Sequence, residues 1–228
     1  MANWGIKERL TRSLRRRWLG YGLRGVSDND SFGQLDRIYW VRDPWNLDSP
    51  KERYRFEATN RLIQDEFGRV GTLLEIGCGE GVQTEYLRRS CNSMSAIDVS
   101  RTAVERARTR LPDVDFTVGD LRQQPWVTTG RRFDLVVACE VLYYIADVSQ
   151  YLRTMNTVGR ACLVTFFTPE APKLAAAVET TPNLKKGWIH YKGTTWLVAW
   201  WRNVSLTIVN GLGGGLLYAD LQPLMLGL

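Results

Sequence analysis

A glycine-rich turn that directly follows an apolar run places the strongest constraint on how this 228-residue chain can fold. Residues 73–76 are Leu-Leu-Glu-Ile, and glycines stand at positions 77, 79 and 81. An apolar strand that turns through glycines into a helix is typical of open α/β sheets, where a ligand binds beyond the carboxyl ends of the strands. Glycine lets the backbone approach such a ligand where a β-carbon would collide with it. The turn therefore predicts a ligand site at this strand end.

The spacing of these glycines separates two classes of ligand. Dinucleotide-binding turns have the pattern GxGxxG, and the helix that follows receives a pyrophosphate at its N-terminus. This chain has GxGxG preceded by Glu75, which favours a ligand with a nucleoside and an amino-acid tail but no phosphate. Taken alone, the motif leaves open a turn that serves only packing.

Apolar runs and helical patterns alternate from residue 70 onwards. The predicted strands span residues 70–76, 93–99, 114–118, 133–139 and 161–167, and the predicted helices span residues 50–67, 81–89, 102–110, 148–158 and 171–180. Aromatic-rich segments at 187–191 and 195–201 predict a hairpin, and residues 204–209 are a candidate further strand. The pattern predicts an α/β fold, a Rossmann-like seven-stranded mostly parallel sheet with helices on both faces and a C-terminal antiparallel hairpin.

Acidic residues follow three further predicted strands. Asp98 stands 17 residues after Gly81, where a carboxylate can accept two hydrogen bonds from a ribose diol. Asp120 is placed to accept from an adenine amino group, and Leu121 to donate its backbone N–H. Glu140 follows the fourth of these strands. Because the carboxyl ends of parallel strands meet at one edge of the sheet, we expect these groups to surround one ligand.

Composition and charge exclude several classes of protein. The chain is 44% hydrophobic and 24% charged, an ordinary globular mixture, and no apolar run reaches the ~18 residues of a membrane span. None of its four cysteines forms a CxxC pair, which favours reduced thiols in a cytoplasmic location. No cluster of His, Cys and carboxylates predicts a metal site. The cysteines are Cys78, Cys91, Cys139 and Cys162.

The net charge of +6 is concentrated at one end of the chain. Residues 1–26 carry seven lysines and arginines against Glu8 alone, so the remainder is neutral. The neutral body disfavours a nucleic-acid partner. Residues 5–20 have a helical apolar spacing with arginines over much of the rest, which predicts an amphipathic basic arm. Two interpretations stay open: the arm contacts an anionic membrane surface peripherally, or it packs on its own domain.

Ahead of the glycine turn, the chain predicts an irregular segment followed by a helix. Residues 27–50 are rich in turn formers. Ser49 is a candidate N-cap, with Pro50 at the first helical position, and Gly68 marks the end of the helix.

The order of these motifs resembles the class I S-adenosylmethionine-dependent methyltransferases over residues 40–201. Residues 43–50, which read Asp-Pro-Trp-Asn-Leu-Asp-Ser-Pro, are similar to a segment of the nodulation-type (NodS-like) N-methyltransferases, as are Glu52-Arg53, Ala58-Thr59 and residues 140–144. Members of that family methylate the amine of a chitooligosaccharide. The resemblance implies S-adenosyl-L-methionine as cofactor, S-adenosyl-L-homocysteine as its product, and a small-molecule acceptor.

The resemblance also implies roles for individual residues. Trp45 and Arg53 should contact the methionine end of the cofactor, with Arg53 facing its carboxylate, and the amino group should lie at Glu75 and Gly77. The full expected cofactor site is Trp45, Arg53, Glu75, Gly77, Cys78, Gly79, Gly81, Asp98, Val99, Asp120, Leu121 and Glu140. Phe56 departs from the tyrosine that the family often has, and the basic arm and the C-terminal tail have no evident counterpart.

Three residues are candidates for the chemistry itself. Glu140 is expected to orient the acceptor or receive its proton, with a role as a partner of the cofactor as the alternative. Tyr143 is expected to line the pocket. His190, the only histidine, titrates near neutrality and is a candidate base, although it can equally lie on an outward face.

These observations predict a methyltransferase domain at residues 27–210, with the arm at 1–26 and a glycine-rich apolar tail at 211–228. The favoured acceptor is the amine of an amino sugar or natural product. An O-methyltransferase and a cofactor-binding regulatory protein are the alternatives, and the glycine spacing disfavours a nicotinamide enzyme. The sequence does not indicate an oligomeric state.

Overall fold

One sheet of seven strands organises the computed structural model, which describes residues 17–20, 23 and 32–203. The strands are β1 (Val70–Ile76), β2 (Cys91–Asp98), β3 (Asp115–Val118), β4 (Phe133–Cys139), β5 (Gly159–Phe167), β6 (Lys185–Tyr191) and β7 (Thr194–Arg202). Their order is β3-β2-β1-β4-β5-β7-β6. The first five strands are parallel, and β7 runs antiparallel to both β5 and β6. The predicted sheet and its C-terminal hairpin are confirmed.

Helices cover both faces of this sheet. They are α1 (Gly33–Ile38), α2 (Pro50–Phe67), α3 (Thr84–Leu87), α4 (Arg101–Arg110), α5 (Pro125–Thr129), α6 (Val148–Val158) and α7 (Ala171–Glu179). One buried cluster joins the sheet to α2, α3 and α4, and a second joins it to α5, α6 and α7. Burial of apolar area on both faces is what stabilises a parallel sheet. None of the helices described here is long and apolar enough to cross a bilayer.

The helix predicted over residues 81–89 was wrong in length. Only Thr84–Leu87 is α-helical, and a 3-10 turn at Arg88–Ser90 follows it. Strand β2 begins at Cys91, which pairs with Val70 at the start of β1. Because the chain must return to the start of the sheet by that point, little room is left for a longer helix.

Helix α2 begins and ends where the sequence predicts. The Ser49 hydroxyl accepts a hydrogen bond from the Glu52 backbone N–H at 3.4 Å, and Pro50 occupies the first turn. Gly68 ends the helix with a φ of +67°, a conformation that glycine adopts at little cost.

The predicted irregular segment contains α1, which the sequence analysis missed. Asp36 ties this helix to the start of α4, because its carboxylate accepts from the Ser100 hydroxyl at 2.6 Å and from the Thr102 backbone N–H at 3.1 Å. Trp18 of the basic arm donates its indole N–H to the Ile38 carbonyl at 3.1 Å.

Leu19 and Leu23 of the arm pack against Leu35 and Ile38 of α1. At these positions the arm lies on its own domain. Residues 1–16, 21–22 and 24–26 of the predicted arm (1–26), the candidate strand at 204–209 and the tail at 211–228 lie outside the described residues. The division of the chain into arm, domain and tail stays a prediction.

Packing against α4 requires a glycine at position 81, and substitution of Gly81 tests this requirement. Its φ is +78°, and an added β-carbon would lie 3.2 Å from the Ala107 β-carbon on α4. Gly130 has a similar φ of +72° but open space around it. We expect Gly81→Ala to lower the free energy of unfolding by about 2–4 kcal/mol and Gly130→Ala by only about 1–2 kcal/mol. Urea denaturation of both variants measures the difference; equal losses would contradict the packing argument.

Candidate active site

A cavity of about 230 Å³ opens beyond the carboxyl ends of β1, β2 and β4. Helix α1 and the segment that follows it cover the cavity, and the first turns of α2 form one wall. The cavity brings together nine of the residues predicted from the sequence. They are Trp45, Glu75, Gly77, Cys78, Gly79, Asp98, Val99, Glu140 and Tyr143. The expected convergence of strand ends on one site therefore appears in the structure.

Glu75 and Asp98 lie side by side at the floor of this cavity, and both are buried. Glu75 accepts a hydrogen bond from the Thr84 hydroxyl at 2.5 Å. Burial raises the pKa of Glu75 to about 7; the Thr84 bond and the Arg55 charge oppose this rise, whereas the Asp98 charge adds to it. A cationic group of a ligand beside this carboxylate would oppose the effect of burial and favour the charged form of Glu75.

Asp98 is held by the backbone on two sides. Its carboxylate accepts from the Gly79 N–H at 2.8 Å and from the Ser100 N–H at 2.9 Å. Burial raises the pKa of Asp98, and these two hydrogen bonds oppose the rise. Because a carboxylate oxygen has two lone pairs, each oxygen retains capacity to accept from a ligand hydroxyl.

The glycine turn fits closely under the cover of the cavity. A β-carbon on Gly77 would lie 2.3 Å from a methyl group of Val141, and one on Gly79 would lie 2.8 Å from the Tyr39 hydroxyl. Tyr39 is buried over the turn and accepts a hydrogen bond from the Trp45 indole at 3.0 Å. The sequence analysis missed Tyr39, because nothing in the irregular segment indicated which aromatic residue faces inwards.

The structure places Arg55, and not Arg53, at the wall of the cavity. The Arg53 side chain is 53% exposed and binds Asp48 at 2.6 Å, whereas that of Arg55 is 2% exposed. Two positions along a helix are turned by about 200°, so these arginines face opposite sides of α2. Arg53 is absent from the lining of the cavity, and its expected contact with the cofactor carboxylate stays a prediction. The sequence alone did not fix which face of α2 packs inwards.

Arg55 lies within a buried polar network. Its guanidinium donates to Glu52 at 2.8 Å and to the Gln83 side-chain oxygen at 3.1 Å. Burial alone would lower the pKa of Arg55, but the carboxylates of Glu140 and Glu52 raise it. Within the described residues, the Gln83 amide nitrogen is buried with no hydrogen-bond partner. An unsatisfied buried donor beside a guanidinium, both lining a cavity, suits an anionic group of a ligand.

Glu140 is the most constrained carboxylate of the site. Its backbone φ is +62°, a left-handed conformation that costs a non-glycine residue about 1–2 kcal/mol. One carboxylate oxygen accepts from the Thr165 hydroxyl at 2.8 Å. The other accepts from the Tyr143 hydroxyl at 2.8 Å and from the Phe167 backbone N–H at 3.1 Å. Three donors fix the orientation of the carboxylate.

Aromatic side chains form the wall of the cavity opposite the glycine turn. The ring centroids of Tyr143 and Tyr144 lie 4.8 Å apart in an edge-to-face arrangement. The ring centroids of Tyr144 and Trp45 lie 5.8 Å apart. Burial and the neighbouring Glu140 raise the pKa of Tyr143, so its hydroxyl stays protonated as a donor. Tyr151 of α6 also lines the cavity and was not predicted.

The predicted adenine-contacting residues border the cavity without lining it. Gly119 lines the cavity, while the neighbouring Asp120 carboxylate accepts from the Arg122 backbone N–H at 2.9 Å and from its guanidinium. Leu121 is fully buried in the core. Gly81 also lies outside the lining, since it packs on α4.

His190 lies outside the cavity. It is exposed on β6, and its ring nitrogen Nδ1 is 2.9 Å from the Thr195 hydroxyl. Strand β6 is three positions from β4 in the sheet, about 14 Å at the usual strand spacing. The strand order that separates His190 from Glu140 could not be deduced from the sequence. Within the described part of the chain, no three His, Cys, Asp or Glu side chains cluster as a metal site, and the four cysteines are buried and free.

Comparisons with known proteins place this architecture in a family. The family model of nodulation protein S (NodS) matches residues 27–209. Nodulation protein S of Rhizobium tropici is 35% identical over 140 residues, which are 60% of this chain and 57% of that protein. The chain thus spans less than two thirds of that relative.

Two further proteins are similar to this chain. The dTDP-3-amino-3,4,6-trideoxy-alpha-D-glucopyranose N,N-dimethyltransferase of Streptomyces venezuelae is 28% identical over 110 residues, which are 47% of this chain and 43% of that enzyme. The crystal structure of the N-methyltransferase NodS from Bradyrhizobium japonicum WM9 in complex with S-adenosyl-L-homocysteine superposes with a TM-score of 0.64. It is 27% identical, and the match covers 75% of this chain and 97% of that one. The family model matches most of the chain, and this protein therefore belongs to the nodulation protein S (NodS) family, with the Rossmann-like methyltransferase fold of its solved relative.

Proposed function

We propose that this chain is an S-adenosylmethionine-dependent methyltransferase whose acceptor is an amine of an amino sugar or a related natural product. One observation carries the proposal: a single cavity at the strand ends combines two buried carboxylates, Glu75 and Asp98, with the buried guanidinium of Arg55. This arrangement of charges matches a ligand with an ammonium group, a ribose diol and a carboxylate. When bound, such a cofactor supplies an electrophilic methyl carbon on a sulfonium.

Each charged residue has a role that its surroundings support. Asp98 accepts from the ribose diol with the oxygen lone pairs that Gly79 and Ser100 leave available. Glu75 faces the ammonium group, and burial raises the pKa of Glu75 in spite of the Thr84 hydrogen bond and the Arg55 charge. Asp120 and Leu121 remain the proposed border of the adenine, next to Gly119.

Arg55 and Gln83 form the end of the site that takes the carboxylate. A guanidinium presents a planar fork that matches a carboxylate in bidentate fashion. The unsatisfied amide nitrogen of Gln83, whose side-chain oxygen accepts from Arg55, adds a further donor beside the guanidinium. Trp45, which is hydrogen-bonded to Tyr39, lines the same cavity and so helps to exclude water from it.

The surroundings of Glu140 favour an amine over a hydroxyl as acceptor. A neutral amine attacks without prior loss of a proton, whereas a hydroxyl usually needs a base. Three donors occupy three of the roughly four acceptor positions of the Glu140 carboxylate and hold it in one orientation. It therefore orients the amine and stabilises the positive charge that develops on nitrogen. The N-methyltransferase and N,N-dimethyltransferase names of two similar proteins agree with this choice.

Methyl transfer from labelled cofactor to matched acceptors tests the proposal. We expect labelled product with amino sugars and none with their N-acetylated or deaminated counterparts, and mass spectrometry locates the methyl group on nitrogen. A methyl group on oxygen would identify an O-methyltransferase instead. Cofactor binding without transfer to any glycan amine or hydroxyl would favour a regulatory protein.

Arg55 and Arg53 form a matched pair that tests the carboxylate end of the site. Arg55→Lys keeps the charge but loses the bidentate fork, so we expect S-adenosylhomocysteine to bind about tenfold more weakly. Arg53→Lys makes the same change on the exposed face, where the residue binds only Asp48, and we expect a change of less than about twofold. Titration calorimetry measures both affinities.

Two results would remove Arg55 from the proposed site. The first is an unchanged affinity in Arg55→Lys, and the second is an equal loss in Arg53→Lys. Thermal melting of both variants serves as the control, because a variant that has lost its fold would melt at a lower temperature without ligand.

Glu140→Gln tests the acceptor side. We expect turnover to fall by about 10²-fold while cofactor affinity changes by less than about threefold, because the amide loses the charge and turns a donor towards Tyr143 or Phe167. Thr165→Val removes one donor but keeps the carboxylate, and we expect a smaller loss of turnover. Single-turnover transfer and calorimetry separate the two quantities. Normal turnover in Glu140→Gln would exclude an essential role.

A further inference from the structure

Two neighbouring apolar side chains project into solvent at the cover of the cavity. Trp40 is 69% exposed and Val41 is 43% exposed, although Tyr39, directly before them, is buried over the glycine turn. Exposure of adjacent large apolar residues to water is unfavourable in free energy unless a partner covers them. Trp188 on the edge strand β6 is also exposed, at 57%, but its neighbour Ile189 is buried.

The backbone holds this pair firmly in place. The N–H of Trp40 donates to the Arg37 carbonyl at 3.1 Å, and that of Val41 donates to the Ile38 carbonyl at 3.4 Å. The Asp43 N–H donates to the Glu80 carboxylate at 2.8 Å. The two side chains therefore stand on a fixed turn, because the segments before and after them are both hydrogen-bonded to the domain.

Two arginines flank the apolar pair in the sequence. Arg37 and Arg42 are exposed on either side of the apolar pair, and neither forms an ion pair with a residue that the structure describes. The surroundings of Trp188 differ in this respect, because the nearby Lys185 and Lys186 are paired with Glu66 and Glu179.

The basic arm reaches the same place. The indole N–H of Trp18 donates to the Ile38 carbonyl, two residues from Trp40, so Trp18 lies beside the turn. Six of the seven basic residues found among residues 1–26 precede Trp18 in the sequence, while residues 27–228 are neutral overall. The basic end of the sequence therefore joins the described part of the chain close to the exposed apolar pair.

We propose that Trp40, Val41, Arg37 and Arg42 form a docking surface for an anionic phospholipid bilayer. Tryptophan is favoured at the level of the lipid headgroups, and guanidinium groups bind lipid phosphates. Basic residues near an anionic leaflet each add to the attraction, so the neighbouring arm reinforces the same contact. The surface lies on the outer side of the segment whose Tyr39 covers the cavity.

Sedimentation of the full chain with vesicles tests this surface. We expect binding to vesicles of equal parts phosphatidylglycerol and phosphatidylcholine, and little binding to phosphatidylcholine alone. The double variant Trp40→Ser with Val41→Ser should lower the partition coefficient about tenfold, and Arg37→Gln with Arg42→Gln about tenfold or more. Trp188→Ser is the matched control, and we expect a change of less than about twofold.

Three results would overturn the proposal. They are undiminished vesicle binding in the Trp40 and Val41 variant, an equal loss in Trp188→Ser, and equal binding to neutral vesicles. A duplex oligonucleotide that binds the full chain and loses affinity with the same variants would assign the surface to a nucleic acid instead. Unchanged melting temperatures confirm that these exposed substitutions leave the fold intact.

Discussion

The buried charges of Glu75, Asp98 and Arg55 are the constraint on which the rest of the structure depends. Taking ionised groups out of water is costly unless each one is hydrogen-bonded or paired. The fold meets this requirement with groups from several elements: the hydroxyl of Thr84 for Glu75, backbone N–H groups for Asp98, and Glu52 with Gln83 for Arg55. What these partners leave unsatisfied, above all the Gln83 amide nitrogen, defines what a ligand must supply.

The cover of the cavity matters because it keeps these charges out of water. Helix α1 is fixed to α4 through Asp36, and the following turn is fixed to the glycine turn through Glu80. Tyr39 and Trp45, which are hydrogen-bonded to each other, fill the space between. Since electrostatic interactions strengthen as water is excluded, the cover and the charged floor act together. A looser cover would weaken the interactions at Arg55 and Asp98 without changing any residue that touches the ligand.

The sequence predicted those parts of the site that strand periodicity fixes. An acidic residue at the carboxyl end of a buried parallel strand, or directly after it, lies at the carboxyl edge of the sheet, so Glu75, Asp98 and Glu140 were predictable as neighbours. Arg55 was not, because a helix offers several faces, and only tertiary packing decides which of them points inwards. The sequence left His190 open between a base and an outward-facing residue for a related reason: residue spacing carries no information about strand order, and β6 lies at the edge of the sheet. The contacts of Tyr39 likewise depend on distant residues.

The charge of the cavity also favours the proposed reaction in the direction of methyl transfer. S-adenosylmethionine carries a positive sulfur, and methyl transfer leaves a neutral thioether in its place. A site lined by Glu75, Asp98 and Glu140, with Arg55 engaged by the ligand carboxylate, attracts the charged cofactor more strongly than the neutral product. The same negative groups stabilise the positive charge that passes to the acceptor nitrogen. A single arrangement of carboxylates can therefore favour cofactor binding, support the transfer and reduce the attraction that holds the spent cofactor, with no need for a separate base.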